Sequence, residues 1–348
     1  MKKEAIDLLK QLIATPSFSQ EESQTADILV DFLSAKSIPT QRVKNNVWAC
    51  NKYFDASKPT LLLNSHHDTV CPTAAYTLDP FLPVEKDGKL FGLGSNDAGA
   101  SVVVLIQAFC AFYDKKINYN LILGLSAEEE ITGENGIERL LQHLPKIDCA
   151  IVGEPTQMKV AIAERGLMVL DCVAHGKAGH AARNEGDNAL YRAMDDINKL
   201  RNLRFERKSP LMGDIKLTVT QIDAGMQHNV VPAECSFVVD IRPTDVYKNE
   251  ELLSLIRKAL QSDVIARSTK HSASAIAENH PLVQTAIALG IDRYVSPTTS
   301  DMVGMSFPAV KMGVGDSARS HQADEFIFLK EIEDGIQIYI DFLHKFLN

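Results

Sequence analysis

The sequence predicts an α/β protein: a mixed, mostly parallel sheet flanked by helices, with a smaller α+β layer inserted into it. Three observations carry this. Short apolar runs of β character alternate with helical stretches in the first half of the chain and return near its end. Between about 165 and 272 the order changes to strand, helix, strand, strand, helix, strand. The length, 348 residues, suits two domains of roughly 150 residues each.

In chain order, residues 4–13 and 22–33 read as amphipathic helices. Ile6, Leu9, Leu12 and Ile13 share one face of the first. Ala26, Leu29 and Leu33 share a face of the second, with Ser19 and Glu22 spaced as a capping box. Strands buried on both faces follow at 47–50, 60–63, 121–125, 149–152 and 309–314. The stretch 100–112 is apolar almost all round, which predicts a buried helix. Residues 134–144 and 332–347 read as amphipathic helices. In the middle, strands at 167–174, 215–222, 235–241 and 264–268 frame helices at 188–203 and 250–261. The first of these helices places Leu190, Met194, Ile197 and Leu200 on one face. This is the order of a ferredoxin-like layer. The reading is therefore one domain from residues 1–164 and 273–348, and a second from 165–272 inserted into it.

Hydrophobic residues at 45% and charged residues at 23% are the mix of a globular protein, against disorder, collagen or coiled coil. No run approaches the roughly 18 apolar residues of a membrane span. The first residues interleave Glu4, Asp7 and Lys10 with apolar positions, as an amphipathic helix does and a signal peptide does not. A net charge of −9 without a long basic run argues against nucleic-acid binding. The six cysteines, at 50, 71, 110, 149, 172 and 235, form no CxxC and read as free thiols in a reducing cytoplasm.

Five apolar runs share one feature: each delivers a histidine or a carboxylate where it ends. The run at 61 leads to His66, His67 and Asp68, and the run at 90 to Asp97. The run at 121 leads to Glu128, Glu129 and Glu130, the run at 150 to Glu154, and the run at 310 to His321. Ligands bind at the carboxyl ends of strands in open α/β sheets. Taken singly, each residue has a plain structural explanation: a surface histidine, a glutamate-rich helix start, an Asp97 N-cap. Together they predict a site. So many carboxylates side by side need a compensating cation. Imidazole and carboxylate donors without thiolate favour two zinc ions, with cobalt or manganese as alternatives. Two such ions can hold a hydroxide nucleophile between them. Other chemistries fail on spacing: Gly92-Leu-Gly94-Ser-Asn-Asp97 lacks the third glycine of a dinucleotide fingerprint, and no GxxxxGK[ST], HExxH or GxSxG occurs.

The motifs also carry a family likeness. His66-His67-Asp68-Thr69-Val70, Gly92 to Gly99, Ala127 to Glu130, Gly153 to Thr156, His175 to His180, Asn229 to Pro232, Asp240 to Pro243 and His321 to Phe326 occur in one order. In this the chain resembles the co-catalytic zinc hydrolases that include acetylornithine deacetylase, succinyl-diaminopimelate desuccinylase, aminoacylase and glutamate carboxypeptidase. The resemblance implies that His66, Asp97 and Glu154 bind one metal and that Asp97, Glu130 and His321 bind the other. It implies Glu129 as general base, Asp68 as the partner orienting the His66 imidazole, and His180 as an oxyanion donor reaching a partner subunit's site. It further implies Asn229 and Arg242 as substrate contacts, Arg242 on the carboxylate. The inserted domain would then be a lid and dimerisation domain of a homodimer. The expected reaction is zinc-dependent hydrolysis of an N-acyl-L-amino acid. The compact length and the HQADEF and GEPT segments look most like acetylornithine deacetylases of arginine biosynthesis. A desuccinylase, an acetylcitrulline or acetyllysine deacetylase or a dipeptidase is the alternative within the class. A metal-free binding protein on the same fold is the alternative outside it.

Overall fold

The strands Thr60–His66 and Asn120–Ser126 are buried along their whole length. Their sequences, TLLLNSH and NLILGLS, lack polar alternation, so they suit a sheet covered on both faces. They pair in parallel, with Leu61 opposite Leu121 and His66 opposite Ser126. Thr60–His66 also pairs in parallel with Cys149–Val152, which pairs in parallel with Ala309–Lys311. Asn46–Cys50 and then Gln41–Val43 add antiparallel strands at one end of this order. Val160–Glu164 runs antiparallel to Ala309–Lys311 at the other. The mixed sheet flanked by helices is thus present, with four parallel strands at its centre and antiparallel pairs on both sides of them, so it is less parallel than the sequence predicts. Its parallel centre brings the carboxyl ends of four strands to one edge.

The computed structural model describes residues 1–183 and 185–348. They fall into two units, residues 1–162, 276–294 and 300–348 in one and 163–275 with 295–299 in the other. Residues 163–164, 273–275 and 295–299, placed with the first domain by the sequence, cluster with the second unit.

In the first unit Gly99–Phe112 is the buried helix, packed against Lys2–Ile13 and Leu329–Leu347 on one face of the sheet. On the other face Leu62, Ile122, Ile137, Leu140 and Met302 form a second cluster with Trp48. Two expectations are corrected. The helix predicted at 134–144 is only Ile137–Leu141. Asn135 is held out of it, because its backbone N–H and its Nδ2 donate to the Glu128 carboxylate at 3.1 and 3.0 Å. The Ser19/Glu22 capping box does not form. Ser19 Oγ donates to Asp68 Oδ2 at 2.8 Å, and Glu22 Oε1 accepts from the backbone N–H of Gln20 at 2.6 Å and of Glu128 at 3.2 Å. A separate three-stranded sheet of Val84–Lys86, Lys89–Phe91 and Phe326–Phe328 pairs Phe91 with Phe326. The run at 90 therefore does not lie in the main sheet.

The second unit is an antiparallel sheet in the order Lys216–Ala224, Glu234–Arg242, Met168–His175, Asp263–Ala266. With the helices Ala189–Asn202 and Asn249–Ala259, this is the ferredoxin-like arrangement. Asn188 caps the first helix, accepting from Leu190 N at 3.0 Å. Its buried face is Ala189, Ala193, Asp196 and Leu200, while Met194 is exposed. Asp196 takes the inward place because its carboxylate accepts from Gln261 N, Ser262 N and Ser262 Oγ. A short ribbon missed in the sequence pairs Gly179–His180 with Val230–Val231.

Gly335 lies inside the Leu329–Leu347 helix, where alanine ordinarily stabilises by roughly 0.5–1 kcal/mol. Here an added Cβ would stand 2.1 Å from Val314 Cγ1 in the core. Gly335→Ala should instead destabilise, by about 1–3 kcal/mol, as a lowered urea midpoint. A raised midpoint would show that the helix can move away.

Candidate metal centre

Alternation along Thr60–His66 decides which histidine enters the site, because successive side chains face opposite ways. His66 Nε2 lies 3.4 Å from Asp97 Oδ1 and 3.7 Å from Glu154 Oε1. His67 is turned away: Nδ1 meets Thr25 Oγ1 and Nε2 meets the Asn45 carbonyl, both at 2.9 Å. Burial lowers its pKa to about 4, so it is neutral and structural. His66 Nδ1 lies 3.1 Å from the Asp68 carbonyl oxygen and 3.3 Å from Asp68 Oδ1. Those acceptors hold the Nδ1 proton, so on loss of one proton it is Nε2 that offers a lone pair toward the carboxylates.

Asp97 comes from a different direction, two residues before the buried helix Gly99–Phe112. It is not that helix's cap, a place taken by Ala98. Its two oxygens diverge. Oδ1 faces His66, and Oδ2 lies 3.7 Å from His321 Nε2. His321 Nε2 is also 3.0 Å from Glu130 Oε2. Beyond Asn120–Ser126 the chain turns at Glu128, which has a left-handed backbone, into a short 3₁₀ turn at Glu129–Ile131. The turn sends Glu128 to Asn135 and presents Glu129 and Glu130 to the cluster. Asp68 fixes that turn by accepting the backbone N–H groups of Glu129 and Glu130, each at 3.1 Å.

The cluster is electrostatically unbalanced. Burial raises Glu129 well above the usual carboxylate range, and the neighbouring Glu154, Asp301 and Glu130 add to it against His66. Burial likewise raises Glu154 to about 8 and Asp301 to about 6. For Asp97, the hydrogen bond and charge of His66 outweigh burial and lower it. Hydrogen bonding to Glu130 lifts His321 to about 9.

The donor set fits divalent cations. Ligand atoms of His66, Asp97 and Glu130 lie within 4.8 Å of one another, as do those of His66, Glu129 and Glu154. Glu154 Oε1 is buried without a hydrogen-bond partner, a costly arrangement that a cation would relieve. Imidazole nitrogen and carboxylate oxygen are zinc donors, and cobalt or manganese accept them too.

Three further acidic positions around the cluster escape the sequence reading. Asp301 is buried beside the cluster, its carboxylate accepting from Ser126 Oγ. Glu22 and Glu325 accept backbone N–H groups of the turns that carry the candidate ligands. A lone acidic residue carries no spacing signal, so only the fold reveals them.

The remaining expected site residues lie in the second unit. His180 is exposed on the short ribbon, with Nδ1 accepting from Ala182 N at 3.1 Å. Asn229 stands beside it, its carbonyl accepting from Ala181 N at 3.0 Å. Arg242 is half-buried and already bound to Asp240 through Nε at 2.8 Å and Nη2 at 3.1 Å. Among the described residues its Nη1 meets Thr299 Oγ1, at 3.4 Å.

At neutral pH His66, His321, Glu129 and Glu154 are held toward their protonated forms, whereas a cation needs deprotonated donors. Zinc binding should therefore release protons and weaken as pH falls. Calorimetric titration in buffers of different ionisation enthalpy counts them, and heats independent of the buffer would contradict this.

Residues 62–345 match peptidase family M20/M25/M40. The chain is 25% identical to succinyl-diaminopimelate desuccinylase of Wolbachia pipientis wMel, over 100% of this chain and 94% of that protein. Its fold matches aminopeptidase PepT from Bacillus cereus, with a TM-score of 0.80 at 15% identity, over 100% of this chain and 99% of that one. It also matches YXEP of Bacillus subtilis, described as a dinuclear metal binding peptidase from the M20 family. There the TM-score is 0.75 at 14% identity, over 99% of this chain and 98% of the other. Among the described residues no helix is long and apolar enough to cross a membrane. With a family match spanning most of its length and the fold to go with it, the chain belongs to peptidase family M20/M25/M40.

Proposed function

We propose that this chain is a dinuclear metal-dependent amidohydrolase that removes the acyl group from an N-acyl-L-amino acid. The observation that carries this is Asp97, whose two oxygens face the two histidines of the cluster with Glu129 close by. His66, Asp97 and Glu154 would hold one ion, and Asp97, Glu130 and His321 the other. The ions, zinc by preference, would polarise the scissile carbonyl and lower the pKa of water. Glu129 takes the proton of the attacking water and returns it to the leaving amine. Asp68 holds the His66 tautomer and the Glu129–Glu130 turn together. His180 donates to the tetrahedral oxyanion, and Asn229 and Arg242 receive the substrate. Because Asp240 takes the Nε N–H and one N–H of Nη2 of Arg242, the Nη1 group and the second Nη2 N–H are the donors left for a carboxylate. The second unit serves as lid and dimerisation domain of a homodimer, with His180 acting on the partner's site. The six cysteines are unpaired, in keeping with a reducing cytoplasm.

Two substrates compete. Acetyl-L-ornithine, and with it a place in arginine biosynthesis, rests on the resemblance of the HQADEF and GEPT segments. A succinylated amino acid is favoured by the desuccinylases among the relatives. Free-amine detection across acetyl- and succinyl-amino acids and dipeptides separates these readings. No hydrolysis of any of these three substrate classes by protein that carries two metals would overturn the proposal. Protein that binds no metal would instead fit a binding protein on this fold.

Glu129→Gln should lower kcat roughly 10²–10⁴-fold while metal content stays near wild type. Glu130→Gln should instead weaken metal binding. The opposite pairing of phenotypes would exchange the two roles.

A further inference from the structure

The Asp97 loop has no strand of the main sheet to hold it, yet it must present a carboxylate in one orientation. The structure assigns Glu325 as the positioning residue that sets Asp97. Three backbone N–H groups converge on its buried carboxylate. Gly94 N donates to Oε2 at 2.9 Å, and Asn96 N and Asp97 N donate to Oε1, each at 2.8 Å. The main chain joins in: Gly92 N donates to the Glu325 carbonyl at 3.0 Å, continuing the pairing of Phe91 with Phe326. Residues 92–97 are thus pinned by backbone on one side and by carboxylate on the other.

The chemistry calls for a carboxylate here. Both of its oxygens accept and neither donates, so it can meet three N–H groups at once. Glutamine has the same shape but one acceptor oxygen. With that oxygen on Asn96 N and Asp97 N, its NH₂ faces the Gly94 N–H, donor against donor. The loop must then shift, and Asp97 shifts with it. Glu325 also stands four residues after His321, so one short segment supplies a ligand directly and sets a second through the backbone. Partners that orient ligands in this way typically contribute 10–100-fold to metal affinity.

This rests on reading Asp97 as a metal ligand, and the test keeps the two apart. Zinc affinity is measured by competition with a chelator for wild type, Asp97→Ala, Glu325→Gln and Glu325→Asp, alongside the thermal midpoint at saturating zinc. Glu325→Gln should lose roughly 10–100-fold in zinc affinity. Excess zinc should restore most of its kcat, with a thermal midpoint near wild type. Glu325→Asp keeps both oxygens but withdraws them by one methylene, and should show a measurable loss too. Unchanged affinity in both Glu325 variants, with Asp97→Ala impaired, overturns the assignment and leaves the metal site standing. Failure of both Glu325 variants to fold at saturating zinc also overturns it, by making the residue a fold element only. If Asp97→Ala matches wild type in affinity, the reading of the site fails first.

Discussion

Carboxylates repel one another, and burial removes the water that would screen them. Asp97, Glu129, Glu130 and Glu154 converge where little solvent reaches, with Asp301 just behind. Two histidines offset only part of that charge. The raised pKa values of Glu129, Glu130 and Glu154 express the deficit, and so does the unpartnered Glu154 oxygen. Divalent cations would remove the repulsion while supplying chemistry. The fold around the site answers one requirement: the carboxylates must be held in place before the cations arrive.

The parallel strands and backbone amides meet that requirement together. Register places His66 beside Ser126 and brings Val152, two residues before Glu154, to the same edge of the sheet. The turns beyond the strands are then clamped by further carboxylates. Asp68 takes the amides of Glu129 and Glu130, Glu22 takes that of Glu128, and Glu325 takes three in the Asp97 loop. Each clamp places an acceptor on amides that no sheet or helix satisfies, so ligand geometry and backbone satisfaction are one problem. A second row of negative charge behind the first adds to the need for cations in front.

Much of this was legible in the sequence where periodicity or spacing carries it. Unbroken apolar runs marked the central strands, because a strand covered on both faces needs no polar alternation. The β-α-β-β-α-β order marked the second unit. What failed depends on contacts distant in sequence. Ser19 and Glu22 have the spacing of a capping box, but Asp68 and Glu128 compete for them and win. The run at 90 looks like the other four, yet it pairs with Phe326–Phe328 outside the main sheet. Met194 fits the apolar stripe of its helix, but Asp196 is drawn inward by the amides of Gln261 and Ser262. His66 and His67 separate only when strand alternation is extended three residues, from the predicted end at 63 to His66.

The central claim is that one cluster holds two cations with Asp97 shared between them. Anomalous scattering at the zinc edge, from crystals of zinc-loaded protein, tests it most directly. The account predicts two peaks, one against His66 and Glu154 and one against Glu130 and His321, with the Asp97 carboxylate between them. A single peak away from Asp97, or zinc only at surface histidines, would contradict it.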